Sequence, residues 1–222
     1  MSQLLRVQNF FLSADGFGAG QGQSLEQPFG HAERADLPAD LASWAFATAS
    51  WPNRSEPGGS RGLDDYFTRD FAWNIGAEIM GRNKFGPQRG PWHNLDWKGW
   101  WGDNPPYHAP TFVLTHYARE PIVMEGGTTF HFVTEGIHAA LERARDAAGA
   151  RDVKIGGGVS TVRQYLQARL IDELHFALSP VLLGRGEALF EGLDLPAYGY
   201  RVMESAATDL ATHVVLGKQE SE

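Results

Sequence analysis

The chain has 222 residues, 42% of them apolar and 21% charged, with a formal charge of −8 and no cysteine. This is ordinary globular composition with enough chain for a substantial core, and it excludes disulfides, a thiolate nucleophile and Cys-ligated zinc. The acidic balance argues against a broad nucleic-acid surface, no apolar run reaches the length of a membrane span, and the N-terminus lacks the basic and apolar regions of a signal peptide, so the expected location is cytoplasmic.

Leu4 to Ser13 reads as a buried strand closed by Asp15-Gly16. Gly18 to Gly62 is loop-like, rich in Gly, Pro, Ser and Gln, with one helix expected from about Pro38 to Ala49. So long a connection is usually functional or mobile. Leu63 to Asn74 looks helical, with Asp64 and Asp65 suited to a helix N-terminus, and Ala77 to Met80 reads as a second strand ending at Gly81-Arg82. Pro87 to Pro110 is a second long loop carrying Trp92, Trp97, Trp100 and Trp101, followed by a third strand over Thr111 to Thr115. These rings, with Phe29, either stack on a flat ligand or fix their loops to the body.

Thr129 to Thr134 reads as the next strand and Gly136 to Ala148 as a helix whose Ile137, Ala140, Leu141, Ala144 and Ala148 share one face. A strand over Val153 to Ile155 then breaks into Gly156-Gly157-Gly158, and a helix begins at once with Val159, Val162, Tyr165 and Leu166 inward. Two successive strand-helix units imply parallel pairing. Leu170 to Leu183 alternates around Leu174, Phe176 and Leu178, while Gly199 to Ala206 and Ala211 to Gly217 are expected as an antiparallel edge. There is no internal repeat or domain boundary, so residues 1–222 read as a single domain built on one mixed α/β sheet.

Strand, glycine turn and helix start within Asp152 to Thr161 suggest a phosphate site, because a helix N-terminus offers free N–H groups and glycines allow close approach. The same run also serves simply as a tight turn, since its spacing is neither that of dinucleotide folds nor that of the P-loop. Asp15-Gly16 is likewise a favoured turn pair on backbone grounds alone. The eight histidines contain no metal-binding cluster, and no metal is expected.

Several separated motifs together resemble the dihydrofolate-reductase-like family, specifically the C-terminal reductase domain of the bifunctional riboflavin-biosynthesis deaminase-reductase. They are Ser13-Ala14-Asp15-Gly16-Phe17, Ile79-Met80-Gly81-Arg82, Val113-Leu114-Thr115, Ile155-Gly156-Gly157-Gly158, Leu170-Ile171-Asp172-Glu173-Leu174 and Ser179-Pro180-Val181-Leu182-Leu183-Gly184-Arg185-Gly186 with Leu189-Phe190. The resemblance implies a three-layer α/β fold: a mostly parallel sheet of about eight strands with an antiparallel C-terminal edge, helices on both faces, and NADPH as cofactor. It places Gly81 and Arg82 beside the cofactor phosphates, with Arg82 on the adenosine 2′-phosphate. Thr115 and His116 fall near the adenosine, and Gly156, Gly157, Gly158, Val159, Ser160 and Thr161 at the pyrophosphate. Asn83-Lys84 departs from the usual hydroxyl-bearing pair, which would put an ammonium where relatives have a hydroxyl.

Asp15 and, by its distance before the Gly-Arg pair, Asp65 are the catalytic candidates by resemblance, though Asp64 and Asp65 also suit a helix dipole. Riboflavin-pathway reductases usually carry Glu-Gly-Gly where this chain has Ile155-Gly156-Gly157, which is closer to the folate-reductase version. The expected activity is hydride transfer from NADPH to a small heterocycle, pterin-like or ribosylaminopyrimidine-like, by a homodimer. The alternative is a non-catalytic nucleotide-binding or sensing module on the same fold.

Overall fold

A strand covered on both faces is buried along its whole length, and β3 (Ile75–Gly81) is buried at every position, with Glu78 its one charged residue. In the computed structural model, which describes residues 3–33, 40–52 and 57–218, this strand lies inside a nine-stranded sheet. Before it come β1 (Leu5–Ser13), β2 (Phe17–Ala19), α1 (Ser43–Phe46) and α2 (Leu63–Thr68). After it come α3 (Arg82–Phe85), β4 (Pro110–Leu114), β5 (Ile122–Val123), β6 (Thr129–Val133), α4 (Ile137–Ala148), β7 (Asp152–Gly157) and α5 (Val159–Gln167). The chain then continues through β8 (Glu173–Ser179), β9 (Glu187–Ala188), β10 (Tyr200–Ala207) and β11 (Thr212–Lys218).

The strand order is β10-β11-β8-β1-β7-β3-β4-β6-β5. Pairings from β8 across to β6 are parallel, whereas β10, β11 and β8 form an antiparallel edge and β5 adds an antiparallel strand at the other. The fold is thus the dihydrofolate-reductase-like arrangement, with nine strands in the main sheet. The two-residue β5 and the separate β2-β9 ribbon are too short to leave a readable alternation in sequence.

Helices α4 and α5 cover one face, burying Ala140, Leu141, Ala144, Val162, Tyr165 and Leu166 against β1, β3 and β7. Each large side chain moved out of water there contributes roughly 1.5–3 kcal/mol. The Tyr165 hydroxyl donates to the Ile137 carbonyl at 2.7 Å, which ties the last turn of α5 to the start of α4. The opposite face is covered by α1, α2 and the aromatic segment around Phe85, Tyr107 and Phe130.

The helix expected from about Pro38 is only α1, and positions 38 and 39 lie outside the described residues. Helix α2 stops at Thr68 rather than Asn74. The Thr68 hydroxyl donates to that of Thr48 and the chain turns through Phe71 and Trp73. Asn74 then takes a φ of 56° and donates its side-chain amide to Asp152, setting up the entry to β3. Strand β8 ends at Ser179 because Pro180 has no N–H to donate. Among the described residues, no helix is long and apolar enough to cross a membrane.

Candidate functional site: a glycine and arginine cleft

The parallel strands β3, β4, β6 and β7 point their carboxyl ends the same way, and a cleft of about 300 Å³ opens there. Crevices at this end of an α/β sheet are its usual ligand sites. Helices α4 and α5 both begin at the cleft, whose lining includes Gly136, Ile137, Gly158, Val159, Ser160 and Thr161. Two partial positive charges and two sets of free N–H groups therefore face one volume. A Cβ on Gly158 would meet nothing within 4 Å, so this backbone is open to a ligand. A Cβ on Gly81 would lie 2.3 Å from Thr161 Oγ1, so only glycine lets the end of β3 sit against the start of α5. The Gly157–Gly158 peptide is cis.

Arg82 supplies the charge. Its guanidinium lies 3.5 Å from the Trp92 ring centroid, and its Nη1 donates to Thr115 Oγ1 at 3.5 Å. Its Nε and Nη2 have no hydrogen-bond partner although both are shielded from solvent. Arg119 lies against the same indole at 4.9 Å and also has one unpartnered nitrogen, Nη1. Burial, reinforced by the nearby Arg89 and Arg119 charges, pushes the Arg82 pKa down. Several cations held together with unused donors are matched to an anion with several acceptor oxygens.

The structure brings most of the expected cofactor residues together: Gly81, Arg82, Asn83, Thr115, His116, Gly158, Val159, Ser160 and Thr161 all line the cleft. Gly156 and Gly157 precede it. A Cβ on Gly156 would fall 2.0 Å from Glu78 Oε1, so this glycine makes room for a buried carboxylate.

Lys84 corrects the expectation of an ammonium facing phosphate. It turns away from the cleft, over the Trp101 ring at 5.7 Å, and Glu78 is the carboxylate that acts on it. A buried acid in the core draws the lysine inward. Burial lowers the Lys84 pKa and Glu78 opposes that shift.

The two acid candidates lie outside the cleft lining. Asp15 accepts hydrogen bonds from the Ser13 hydroxyl at 2.5 Å and from the Leu183 and Gly184 amides at 3.1 and 2.7 Å. Burial raises its pKa, but these hydrogen bonds outweigh that and leave it below the ordinary carboxylate value. Asp15 therefore fastens the turn after β1 to the segment after β8 and stays ionised. Asp65, in the first turn of α2, accepts from the Ser50 amide at 2.7 Å.

The tryptophans are loop fasteners rather than a ligand platform. Trp92, Trp97 and Trp101 pack against the Phe85 and Phe130 cluster, Trp100 lies edge-on to Trp97, and Phe29 packs on Phe11. None of them lines the cleft. Sequence reasoning missed Arg89, Tyr117, Gln164 and Glu187, which do line it, and Arg119, which flanks it. The arginines and Tyr117 lie in or beside the two loops that follow β3 and β4, so their position after Gly-Arg and Thr-His was a usable signal. Glu187 arrives through the two-residue β9, which left none.

The sequence profile of the RibD C-terminal domain matches residues 7–216. A putative riboflavin biosynthesis protein from Shewanella sp. PV-4 has the same fold with a TM-score of 0.55 at 20% identity, the match covering 99% of this chain and 100% of that one. The diaminohydroxyphosphoribosylaminopyrimidine deaminase/5-amino-6-(5-phosphoribosylamino)uracil reductase of Thermotoga maritima matches with a TM-score of 0.54 at 11% identity, over 98% of this chain and 57% of that longer one. No curated protein matches.

Proposed function

Because the chain belongs to the RibD C-terminal domain family, we propose that it is a reductase that uses NADPH to reduce a small heterocycle, pterin-like or ribosylaminopyrimidine-like. The observation that carries this reading is Arg82, whose unpartnered Nε and Nη2 lie beside a glycine turn where two helix N-termini converge. This donor set fits a phosphorylated dinucleotide. The open backbone at Gly158 with Ser160 and Thr161 suits a pyrophosphate, and Arg82 suits a further phosphate one strand away.

When bound, NADPH supplies the hydride, so the protein's task is alignment and charge compensation. The α4 and α5 N-termini and the arginines hold the anionic end. Asp15 acts as a positioning residue, because its hydrogen bonds to Leu183 and Gly184 fix the loop that carries β9 and Glu187 to the cleft. Arg163 of α5 donates to the Ala188, Leu189 and Glu191 carbonyls and secures the same loop from the other side. A homodimer using the outer strand β10, where Val202 and Met203 are exposed, belongs to the same reading and is checked by the mass in solution.

The engagement of Asp15 with its own loop favours a second reading, a nucleotide-binding module without turnover. The test is loss of reduced-nicotinamide absorbance when the protein and NADPH are mixed with a panel of pterins and aminopyrimidines. Turnover with any of them, abolished in Gly81→Val, supports the reductase. Tight NADPH binding with no turnover across the panel supports the binding module.

A further inference from the structure

Two regions hold solvent-shielded polar atoms that have no partner among the described residues. One is the central strand β1. Val7 pairs with Leu174 and Phe10 with Phe176, so Gln8 and Asn9 together oppose the single residue His175 in a bulge. The Asn9 N–H donates to His175 Nδ1 at 3.1 Å, His175 Nε2 lies 3.1 Å from His213 Nδ1, and His213 Nε2 lies 2.8 Å from Asp64 Oδ1. Gln8 Oε1, the Asn9 amide and the Nε1 of Trp44, which meets both imidazoles edge-on, are the unpartnered atoms there, in residues outside the cleft lining. The other region is the arginine end of the cleft, where the unpartnered donors of Arg82 border open space.

An arginine taken out of water is ordinarily held by a carboxylate. Among the described residues, neither Arg82 nor Arg119 makes an ion pair, and Glu187, the carboxylate of the cleft lining, makes none either. The Arg82 guanidinium lies instead over the Trp92 ring, with Cζ 3.5 Å from the centroid. That approach is too close for an N–H to point into the ring, so the two flat faces meet. The N–H groups lie in the guanidinium plane and point sideways: Nη1 donates to Thr115 Oγ1, and Nε and Nη2 have no partner.

Trp92 is itself pinned from several directions. It belongs to the segment between α3 and β4, and its Nε1 donates to the Tyr117 carbonyl at 2.9 Å. Phe85 and Phe132 meet its ring edge-on at 6.0 and 5.2 Å. Arg119 Nη2 donates to the Leu95 and Trp97 carbonyls at 2.7 and 2.8 Å and so fastens the same segment, while its Cζ lies 4.9 Å from the Trp92 ring. A carboxylate in place of this ring would also fix the guanidinium, but it would neutralise the charge and repel an incoming phosphate. The ring face fixes Arg82 and leaves both its charge and its sideways donors in place.

We infer that Trp92 is the positioning residue through which the cleft selects a phosphorylated ribose over an unphosphorylated one. It presets the Arg82 fork for a phosphate monoester, and Arg119 keeps the Trp92 segment where that contact requires it. Without the ring, the guanidinium must be immobilised at each binding event, a cost that falls on the phosphorylated ligand alone. The inference rests on the reading of the cleft as an NADPH site and concerns how the choice is made there.

The test is calorimetric titration of the full chain with NADPH, NADH, 2′,5′-ADP and 5′-AMP in wild type, Trp92→Met, Trp92→Phe and Arg119→Lys. Methionine fills much of the same space without a ring, so Trp92→Met should lose roughly three- to tenfold in affinity for NADPH and 2′,5′-ADP, with NADH and 5′-AMP unchanged. Trp92→Phe keeps a ring face, and its preference for NADPH should stay within about twofold of wild type. Arg119→Lys keeps the charge but loses the fork that spans two carbonyls, so the ratio of NADPH to NADH affinity should fall there too, and it carries the decision if Trp92→Met fails to fold. A residue that only fastened its loop would weaken all four ligands alike and leave that ratio where it was. An unchanged ratio in the deciding variant, or a loss in Trp92→Phe equal to that in Trp92→Met, overturns the inference and leaves the cofactor reading standing. Folded wild type that binds none of the four ligands overturns both.

Discussion

The cleft at the strand ends and the β1 bulge both hold polar atoms without partners among the described residues, yet they are built in opposite ways. In the cleft the unsatisfied groups are cationic nitrogens on half-buried side chains, carried by short local motifs at strand ends, Gly81-Arg82 above all. At the bulge they are neutral amides inside the sheet, held by a chain of residues from β8, β11 and α2 that are far apart in sequence. The difference teaches where each site can tolerate change: the cleft by its charge, the bulge by its packing.

The largest expected effect lies on the buried side. Lys154 pairs with Glu78, with both side chains almost inaccessible, and its Nζ also donates to the Phe71 carbonyl. Burial raises the Glu78 pKa and lowers that of Lys154, each opposed by the other's charge. Lys154→Met would take away the direct partner of the carboxylate, leaving it only the more distant charge of Lys84, and should cost roughly 3–5 kcal/mol in denaturant unfolding. A loss below about 1 kcal/mol would break the contrast drawn here, because the buried face would then be as forgiving as the cleft.

Gly81→Ala comes next. The added Cβ would meet Thr161 Oγ1 at 2.3 Å, and that hydroxyl belongs to a buried helix start, so a cost of roughly 1–3 kcal/mol is expected with loss of NADPH affinity in the same variant. Retained affinity would separate the β3–α5 contact from cofactor binding.

The pH dependence sharpens the comparison because the paired buried histidines, His175 and His213, sit on the bulge side, whereas the cleft has His116 in its lining. Burial, with the adjacent His213, pushes the His175 pKa from 6.5 down to about 3, and burial also lowers that of His213 against the pull of Asp64. Between those values the unfolded chain binds the proton and the folded one does not. Stability is therefore full above pH 6.5 and falls as the pH drops toward about 3. Denaturation across this range should show that slope, and His175→Asn, which keeps an acceptor for the Asn9 amide, should flatten it. Asp65→Asn is the smallest expected change, about 0.5 kcal/mol or less with NADPH affinity untouched, since among the described residues Asp65 accepts from the exposed Ser50 amide and it lies outside the cleft lining.

What the sequence made legible follows from the same contrast. The parallel strands and the helices α4 and α5 announced themselves because burial on both faces, or along one stripe, leaves a periodic pattern. Gly81, Arg82 and the Gly158 to Thr161 turn were readable because the groups that act together are adjacent in the chain. Lys84 was misread because its direction is set by Glu78, six residues away and a strand deep. The bulge was invisible, since Gln8-Asn9 looks like two polar residues in a strand until His175 and His213 are brought against it. Asp15 was found with two readings, turn and catalysis, and nothing beside it in sequence revealed its hydrogen bonds, because its partners Leu183 and Gly184 come from the far end of the chain.

The central claim is that Arg82 and the glycine turn hold NADPH. Trp92 stacks on that guanidinium, so tryptophan fluorescence reports occupancy directly. Titration with NADPH and NADH, in wild type and Arg82→Ala, should give quenching that is tighter for NADPH and weakened roughly ten- to a hundredfold by the substitution, with NADH little affected. Equal binding of the two nucleotides by both proteins, or no binding by the folded wild type, would contradict the account.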